Sequence, residues 1–125
     1  MSLINKGDEV LIPTPYWVSY SAMVELAEGV PVFINPDKDS NYKITAQQLD
    51  SAITDKTKML MLNSPNNPSG SVFTEQEYLE FSKVLLKYPN IIIVSDEIYE
   101  HINYGVKSVS FASLPGMYDL SLIHI

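Results

Sequence analysis

Short apolar segments alternate with amphipathic segments along most of this chain. Four apolar segments are bounded by turn-forming residues and are only a few residues long, which is typical of β-strands. They cover residues 10–13, 30–34, 58–63 and 91–94. Strands that alternate with helices in this way predict a parallel α/β sheet.

Amphipathic segments between these strands predict three helices. Apolar residues recur at helical spacing over residues 20–26, and Gly29 then provides a stop. Thr45 is the predicted N-cap of a second, short helix. Thr74 begins the third helix, because Glu77 follows three residues later and completes a capping box. Crossovers between parallel strands are right-handed in nearly all proteins, so we expect helices over both faces of the sheet.

Polar segments follow three of the predicted strands. They are residues 14–17 after the first strand, 64–70 after the third and 95–99 after the fourth. Ligands of open α/β sheets bind outside the carboxyl ends of the strands. Because parallel strands end at the same edge of a sheet, we expect these three segments to form one site.

Composition and charge narrow the classes of protein to which the chain can belong. Its 125 residues and 46% hydrophobic content are those of one ordinary globular domain. The formal charge of -7 argues against a surface that binds nucleic-acid phosphates or anionic membranes. The chain has no cysteine, and its two histidines, His101 and His124, are too far apart to suggest a metal motif. Neither a signal-peptide core nor an apolar stretch of membrane-spanning length is present, so we expect a cytoplasmic protein.

Single residues in the polar segments do not decide a function. Asp96 ends an apolar strand, where a buried carboxylate is costly unless it is paired, but a helix N-cap or an exposed strand end also explains it. Tyr99 is compatible with a core aromatic residue whose hydroxyl reaches the surface. Residues 63–70 contain two prolines and a glycine, which indicates a turn-rich loop that could be a simple connection.

Three motifs in a fixed order are more informative than these residues alone. The string SPNNPSG begins at residue 64, VSDEIYEHINYG follows about thirty residues later, and GDEVLIPTPYW lies upstream. With this order and spacing, the chain resembles the aminotransferases of fold type I, subgroup I, which depend on pyridoxal phosphate (PLP) and include aspartate aminotransferase. The resemblance extends from about residue 5 to residue 118 without an evident gap.

The resemblance implies a cofactor-binding role for four residues. The family's DE-x-Y aspartate, which matches Asp96, pairs with the protonated pyridine nitrogen of PLP. The tyrosine of that motif and the asparagine before Pro-Ser/Thr-Gly donate hydrogen bonds to the cofactor's 3′ oxygen, and they match Tyr99 and Asn67. The aromatic residue of PTPYW, here Trp17, is expected to stack on the ring. Asn66 is expected to be a loop residue.

The resemblance also implies an architecture. We expect residues 1–125 to form part of the family's large domain, a three-layer α/β sandwich with a mainly parallel four-stranded sheet in the order 2-1-3-4. Tyr16 and Tyr20 are assigned to packing. Residues 119–125 depart from the family's pattern, so the predicted strand at 91–94 is expected to lack a partner on its far side. Apolar edges pair with other chains, which predicts a homo-oligomer that forms through this edge or an adjoining face.

The covalent part of the family's chemistry is not found in this sequence. No segment resembles the family's Ser-x-x-Lys motif, whose lysine holds PLP as a Schiff base and moves the substrate proton. Lys107 comes too early to be that lysine. We therefore expect the small domain and the Schiff-base lysine to be absent from these residues and the chain alone to be inactive. No residue is assigned a catalytic role, and no metal is expected.

The leading functional hypothesis is the family activity, the PLP-dependent transfer of an amino group between an amino acid and a 2-oxo acid. A non-catalytic flavodoxin-like module of the receiver type is the alternative, because it shares the strand order. It would need an acidic pair after the first strand and an aspartate after the third, where this chain has Thr14-Pro15-Tyr16 and Ser64-Pro65-Asn66. A dinucleotide-binding domain would need a G-x-G-x-x-G turn after the first strand, and the sequence has none there.

Overall fold

The computed structural model describes residues 3–102 and 104–124, which contain five strands, three α-helices and two short 3-10 turns. The strands are β1 (Glu9–Pro13), β2 (Val30–Ile34), β3 (Thr57–Asn63), β4 (Ile92–Asp96) and β5 (Ser121–His124). The helices are α1 (Ser19–Leu26), α2 (Ala46–Ala52) and α3 (Glu75–Leu85). The 3-10 turns cover Phe111–Ser113 and Tyr118–Leu120.

Helices α2 and α3 begin where the sequence predicts, because each has a complete capping box. The Thr45 hydroxyl accepts a hydrogen bond from the Gln48 backbone N–H at 3.2 Å, and the Gln48 side chain accepts one from the Thr45 N–H at 2.8 Å. Thr74 and Glu77 form the same reciprocal pair at 3.3 and 2.7 Å. Each box satisfies two backbone donors at the helix start, which fixes where the helix begins.

The five strands are parallel and lie in the order β2-β1-β3-β4-β5. The predicted parallel α/β sheet and the order of its first four strands are confirmed. The prediction of four strands, with the fourth as an open edge, is wrong because β5 pairs along β4, with Ser121 beside Ile93. Residues 119–125 thus contribute a strand although they depart from the family's pattern. The last of them, Ile125, lies outside the described residues.

Apolar side chains pack on both faces of the sheet, which gives the three layers. On one face, α1 contributes Tyr20 and Val24 to a cluster with Val10 and Ile12 of β1. On the other face, α2 and α3 cover a larger cluster that includes Leu11, between those two β1 residues. β1 is apolar at successive positions because helices cover it on both sides. In the described part of the chain, no helix has both the length and the apolar character needed to cross a membrane.

Candidate functional site

The polar segments meet around a cavity of about 280 Å³ at the carboxyl edge of the sheet. The four residues predicted to bind the cofactor, Trp17, Asn67, Asp96 and Tyr99, all line this cavity. Three further residues complete the lining, namely Tyr20, Asn63 and Ile98. A volume near 300 Å³ is at the lower end of small-molecule sites. The cavity therefore suits a single ring with its substituents.

Sheet register brings the lining residues together. Asn63 ends β3 and Asp96 ends β4, and the two are direct partners in the parallel ladder. Asn67 and Tyr99 lie on the loops that follow these strands, and Trp17 lies between β1 and α1. Neighbouring parallel strands thus deliver all of these side chains to one edge.

The Asp96 carboxylate is held by a tyrosine that the sequence assigns to packing alone. The Tyr20 hydroxyl donates a hydrogen bond of 2.6 Å to Asp96 Oδ2, and the Ile98 backbone N–H donates one of 3.3 Å to Oδ1. The Tyr20 ring does pack in the core, where the residue is 4% exposed. Burial raises the pKa of the Tyr20 phenol far above its usual value, and the hydrogen bond and the charge of Asp96 raise it further. Tyr20 therefore stays protonated and keeps donating.

Trp17 forms one flank of the cavity and is held by the same tyrosine. The indole and the Tyr20 ring make an edge-to-face contact, with centroids 5.7 Å apart and planes at 87°. This arrangement is favourable between aromatic quadrupoles. Trp17 is 45% exposed, so a large apolar surface remains free beside the cavity.

The loop that carries Asn67 is held by its neighbour Asn66. Asn66 Oδ1 accepts hydrogen bonds from the backbone N–H and the hydroxyl of Ser69, at 3.1 and 2.7 Å. Its Nδ2 donates to the Pro15 carbonyl at 3.2 Å, which ties this loop to the segment before Trp17. Asn66 therefore lies in the loop, as the sequence predicts, and joins two segments of the site.

The peptide bonds before Pro15, Pro65 and Pro68 are cis.

A buried carboxylate fixes the chain beyond the cavity. Glu97 is 5% exposed, and its Oε1 accepts hydrogen bonds from the Ser95 hydroxyl at 2.7 Å, the Ser110 hydroxyl at 3.2 Å and the Phe111 N–H at 2.9 Å. A buried carboxylate of this kind is stable only when donors surround it. Glu97 thus joins the end of β4 to Ser110 and Phe111, which lie beyond the loop that carries Tyr99.

A larger cavity of about 520 Å³ lies on the other side of the Asn67 loop. Asn67 and Tyr99 border both cavities, but Asp96 and Trp17 line only the smaller one among the described residues. The one amine at the larger cavity, that of Lys43, is engaged by Glu77 Oε1 at 2.6 Å. We place the site in the smaller cavity because, of these two cavities, it is the one whose described lining combines the carboxylate, phenol, amide and indole groups.

No lysine lines the smaller cavity in the described part of the chain. Lys107 is therefore not a lining residue either. Residues 3–102 and 104–124 also contain no group of three or more His, Cys, Asp or Glu side chains placed to hold a metal ion. The chemistry that this cavity offers therefore consists of hydrogen bonding, one carboxylate charge and an aromatic face.

The fold and the cavity define the class, an α/β protein with a small-molecule-sized site at the carboxyl edge of a parallel sheet. Comparison with known proteins narrows it further. The model of the family described as aminotransferase class I and II matches residues 1–121. The chain belongs to this family. The predicted family is confirmed, and nothing in the match favours a receiver-type module.

Individual proteins that are similar to this chain are also named aminotransferases. The aspartate aminotransferase of Bacillus sp. strain YM-2 is 54% identical over 113 residues, which are 90% of this chain and 29% of the relative. A protein of Rickettsia typhi, named a probable aspartate/prephenate aminotransferase, is 51% identical over 104 residues, 83% of this chain and 26% of the relative. The crystal structure of the Rhizobium meliloti aspartate aminotransferase superposes with a TM-score of 0.91 at 43% identity, covering 94% of this chain and 30% of that one. The chain thus spans less than a third of the length of these relatives.

Proposed function

We propose that this chain forms part of the PLP site of an aminotransferase that moves an amino group between an amino acid and a 2-oxo acid. The observation that carries the proposal is the meeting of Asp96, Asn67, Tyr99 and Trp17 around one cavity. These residues come from three separate segments of the chain. Their convergence on a space suited to one ring supports a shared planar ligand.

The side chains present fit PLP in their chemistry. A protonated pyridine nitrogen needs an anionic acceptor, and Asp96 supplies a carboxylate that is itself fixed by Tyr20 at 2.6 Å. A phenolate oxygen needs donors, and the Asn67 amide and the Tyr99 hydroxyl can both donate. A flat conjugated ring needs an apolar face, which the exposed part of Trp17 offers.

When bound, PLP supplies an electron sink for the electron pair that is left when an amino acid loses its α-proton. The residues of this chain would orient that group. Asp96 would keep the pyridine nitrogen protonated, and Tyr20 would keep Asp96 in place. Asn67 and Tyr99 would donate hydrogen bonds to its 3′ oxygen, while Trp17 would exclude water from one face. These are binding and orienting roles, and the proton transfer itself is assigned to no residue of this chain.

The names of the relatives suggest the substrate. Two of those compared are named for aspartate alone, and one is named for aspartate and prephenate. We therefore propose L-aspartate as the amino donor and a 2-oxo acid as the acceptor, with prephenate as a second acceptor to be tried.

The wider setting of the site forms part of the same proposal. Residues 1–125 would form part of the large domain of the family, and the protein would act as a homo-oligomer in the cytoplasm. The prediction of self-association through an open edge of β4 is wrong, because β5 pairs along that edge. Association through an adjoining face remains a proposal. Light scattering and cell fractionation would test the assembly and the location.

Binding can be tested on this chain because Trp17 is its only tryptophan. Pyridoxamine 5′-phosphate is the suitable probe, since it has the ring of PLP but no aldehyde to react with surface lysines. We expect saturable quenching of Trp17 fluorescence, and weaker binding by about tenfold or more in Asp96→Asn, which keeps the shape of the carboxylate but removes its charge. Asp50→Asn, a change far from the cavity, should bind as the parent does. Equal binding by Asp96→Asn and the parent would contradict the proposed site.

Transaminase activity is tested on the protein as the cell produces it from the natural gene. L-Aspartate and 2-oxoglutarate should be consumed together in a PLP-dependent reaction, and prephenate can then replace 2-oxoglutarate. Asp96→Asn should lower kcat strongly. An active enzyme whose rate does not change on this substitution would contradict the role assigned to Asp96.

A further inference from the structure

One side chain bridges two of the residues proposed to bind the cofactor. Asn63, at the end of β3, is 7% exposed and lines the cavity. Its Oδ1 accepts a hydrogen bond from the Asn67 backbone N–H at 2.7 Å, and its Nδ2 donates one to the Asp96 carbonyl at 3.0 Å. The carboxamide therefore connects the backbone of the Asn67 loop directly to the end of β4.

The side-chain amide of Asn63 is suited to this bridge. A carboxamide has one acceptor atom and one donor atom side by side. The reverse orientation of Asn63 would turn its NH₂ toward the Asn67 N–H and its oxygen toward the Asp96 carbonyl, so both contacts would be unfavourable. Aspartate would keep the acceptor and lose the donor, and leucine, which has a similar shape, would lose both.

Between its two prolines, the loop has few backbone donors that could tie it to the sheet. Pro65 and Pro68 have no N–H, so the N–H groups between them belong to Asn66 and Asn67. The Asn66 N–H donates to the Ser71 carbonyl at 2.9 Å, within the loop itself. The Asn67 N–H is thus the one of this pair that ties the loop to the sheet.

The strand end is fixed more firmly than the loop. The Asp96 carbonyl also accepts a hydrogen bond from the Ser64 N–H at 3.2 Å, and Asn63 and Asp96 are partners in the ladder. Loss of the bridge would therefore leave Asp96 in place and free the Asn67 N–H, so that the loop at Asn67 is held by the contacts of Asn66 alone. Among the hydrogen bonds of the described residues, only the two made by Asn63 join the Asn67 backbone to the Asp96 backbone through one side chain.

We propose that Asn63 is a positioning residue. By bridging the backbones of residues 67 and 96, it sets the spacing between the side-chain amide of Asn67 and the carboxylate of Asp96. This inference rests on the proposed PLP site, where both groups must reach one rigid ring at the same time. A merely stabilising residue would affect unfolding without affecting the loop or the ligand.

The test compares variants of the 125-residue chain by two independent measurements. Amide hydrogen exchange followed by NMR reports the Asn67 N–H, and Trp17 quenching reports the affinity for pyridoxamine 5′-phosphate. In Asn63→Leu we expect exchange at Asn67 to rise about tenfold or more relative to the core amide of Ile93, and the Kd to rise about tenfold. In Asn63→Asp the acceptor remains, so the Asn67 N–H should stay protected.

Thr45→Ala is the matched control, because it removes a side-chain to backbone hydrogen bond at the N-cap of α2, away from the cavity. It should lower global stability and leave both Asn67 exchange and Kd unchanged. Should Asn63→Leu not fold, Asn63→Ala removes the same two bonds with a smaller side chain.

The outcomes separate this inference from the proposed function. An Asn67 amide that stays protected in Asn63→Leu, or a Kd equal to that of the parent, would overturn the role of Asn63. A parent chain that does not bind the probe would count against the proposed site. The exchange of the Asn67 N–H would then decide by itself whether Asn63 holds the loop.

Discussion

The hydrogen bond between Tyr20 and Asp96 should couple α1 to the end of β4. The donor and acceptor are 2.6 Å apart, and the residues are 76 positions apart in sequence. In Tyr20→Phe the ring, its core contacts and its edge contact with Trp17 remain, so the substitution removes the hydroxyl alone. A double-mutant cycle with Asp96→Asn then measures the energy of this one interaction.

The structure sets the expected size of this coupling. A hydrogen bond to a charged group contributes about 1.5 to 3 kcal/mol when it is shielded from water. Tyr20 is buried, but Asp96 is only partly buried and borders an open cavity, where water can replace some of the lost interaction. We therefore expect a coupling of about 1 to 2 kcal/mol.

Urea unfolding of the parent, both single variants and the double variant gives the coupling. For a chain of this size the slope is about 1 to 3 kcal/mol per M, so a loss of 1.5 kcal/mol moves the midpoint by about 0.5 to 1.5 M. Tyr88 and Asp50 form the matched control pair, since their hydroxyl and carboxylate are 3.3 Å apart and Tyr88, unlike Tyr20, is only partly buried. Their coupling should be much smaller. A Tyr20–Asp96 coupling below about 0.5 kcal/mol, or one no larger than the control, would refute the reasoning.

Two further predictions concern the pH dependence of stability and the sheet edge. Burial raises the pKa of the Glu77 carboxyl, but hydrogen bonds from Lys43 and Thr74 and the charge of Lys43 outweigh this and hold the pKa below its ordinary value of 4.5. Because the folded-state pKa is the lower one, this stabilisation is present above pH 4.5 and is lost as the pH falls through the folded-state pKa. Glu77→Gln should therefore reduce the acid-induced fall in unfolding free energy in urea titrations. An unchanged pH profile would contradict this, and Glu75→Gln on the same helical turn is the control. Removal of residues 121–125 should expose β4 and give a larger, concentration-dependent mass in light scattering, whereas Leu122→Ser, which keeps the strand backbone, should behave as the parent. A truncated chain with the mass of the parent would show that β5 does not protect this edge.

Local sequence determined the first four strands, the three helices and the parallel direction of those strands. The strand predicted at residues 30–34 agrees with β2, and that at 58–63 differs from β3 by one residue. The capping residues Thr45 and Thr74 marked the helix starts because their hydrogen bonds reach only three residues along the chain. The motifs around Asn67 and Asp96 also placed the candidate site at the carboxyl edge, since that edge follows from strand direction alone.

Tertiary structure decided which groups complete the site and where the sheet ends. The Tyr20 hydroxyl reaches Asp96 only because α1 packs over β1, and an apolar pattern shows the burial of a tyrosine but not the partner of its hydroxyl. The sequence predicts Asn63 at the junction of a strand and a turn-rich loop without any role, and its bridge exists only because β3 and β4 end side by side. The four residues of β5 have too weak a local preference to predict a strand, and the free backbone groups along β4 supply the pairing that makes them one. Interactions within a few residues can be recognised in a sequence, whereas contacts between distant segments exist only once the chain has packed.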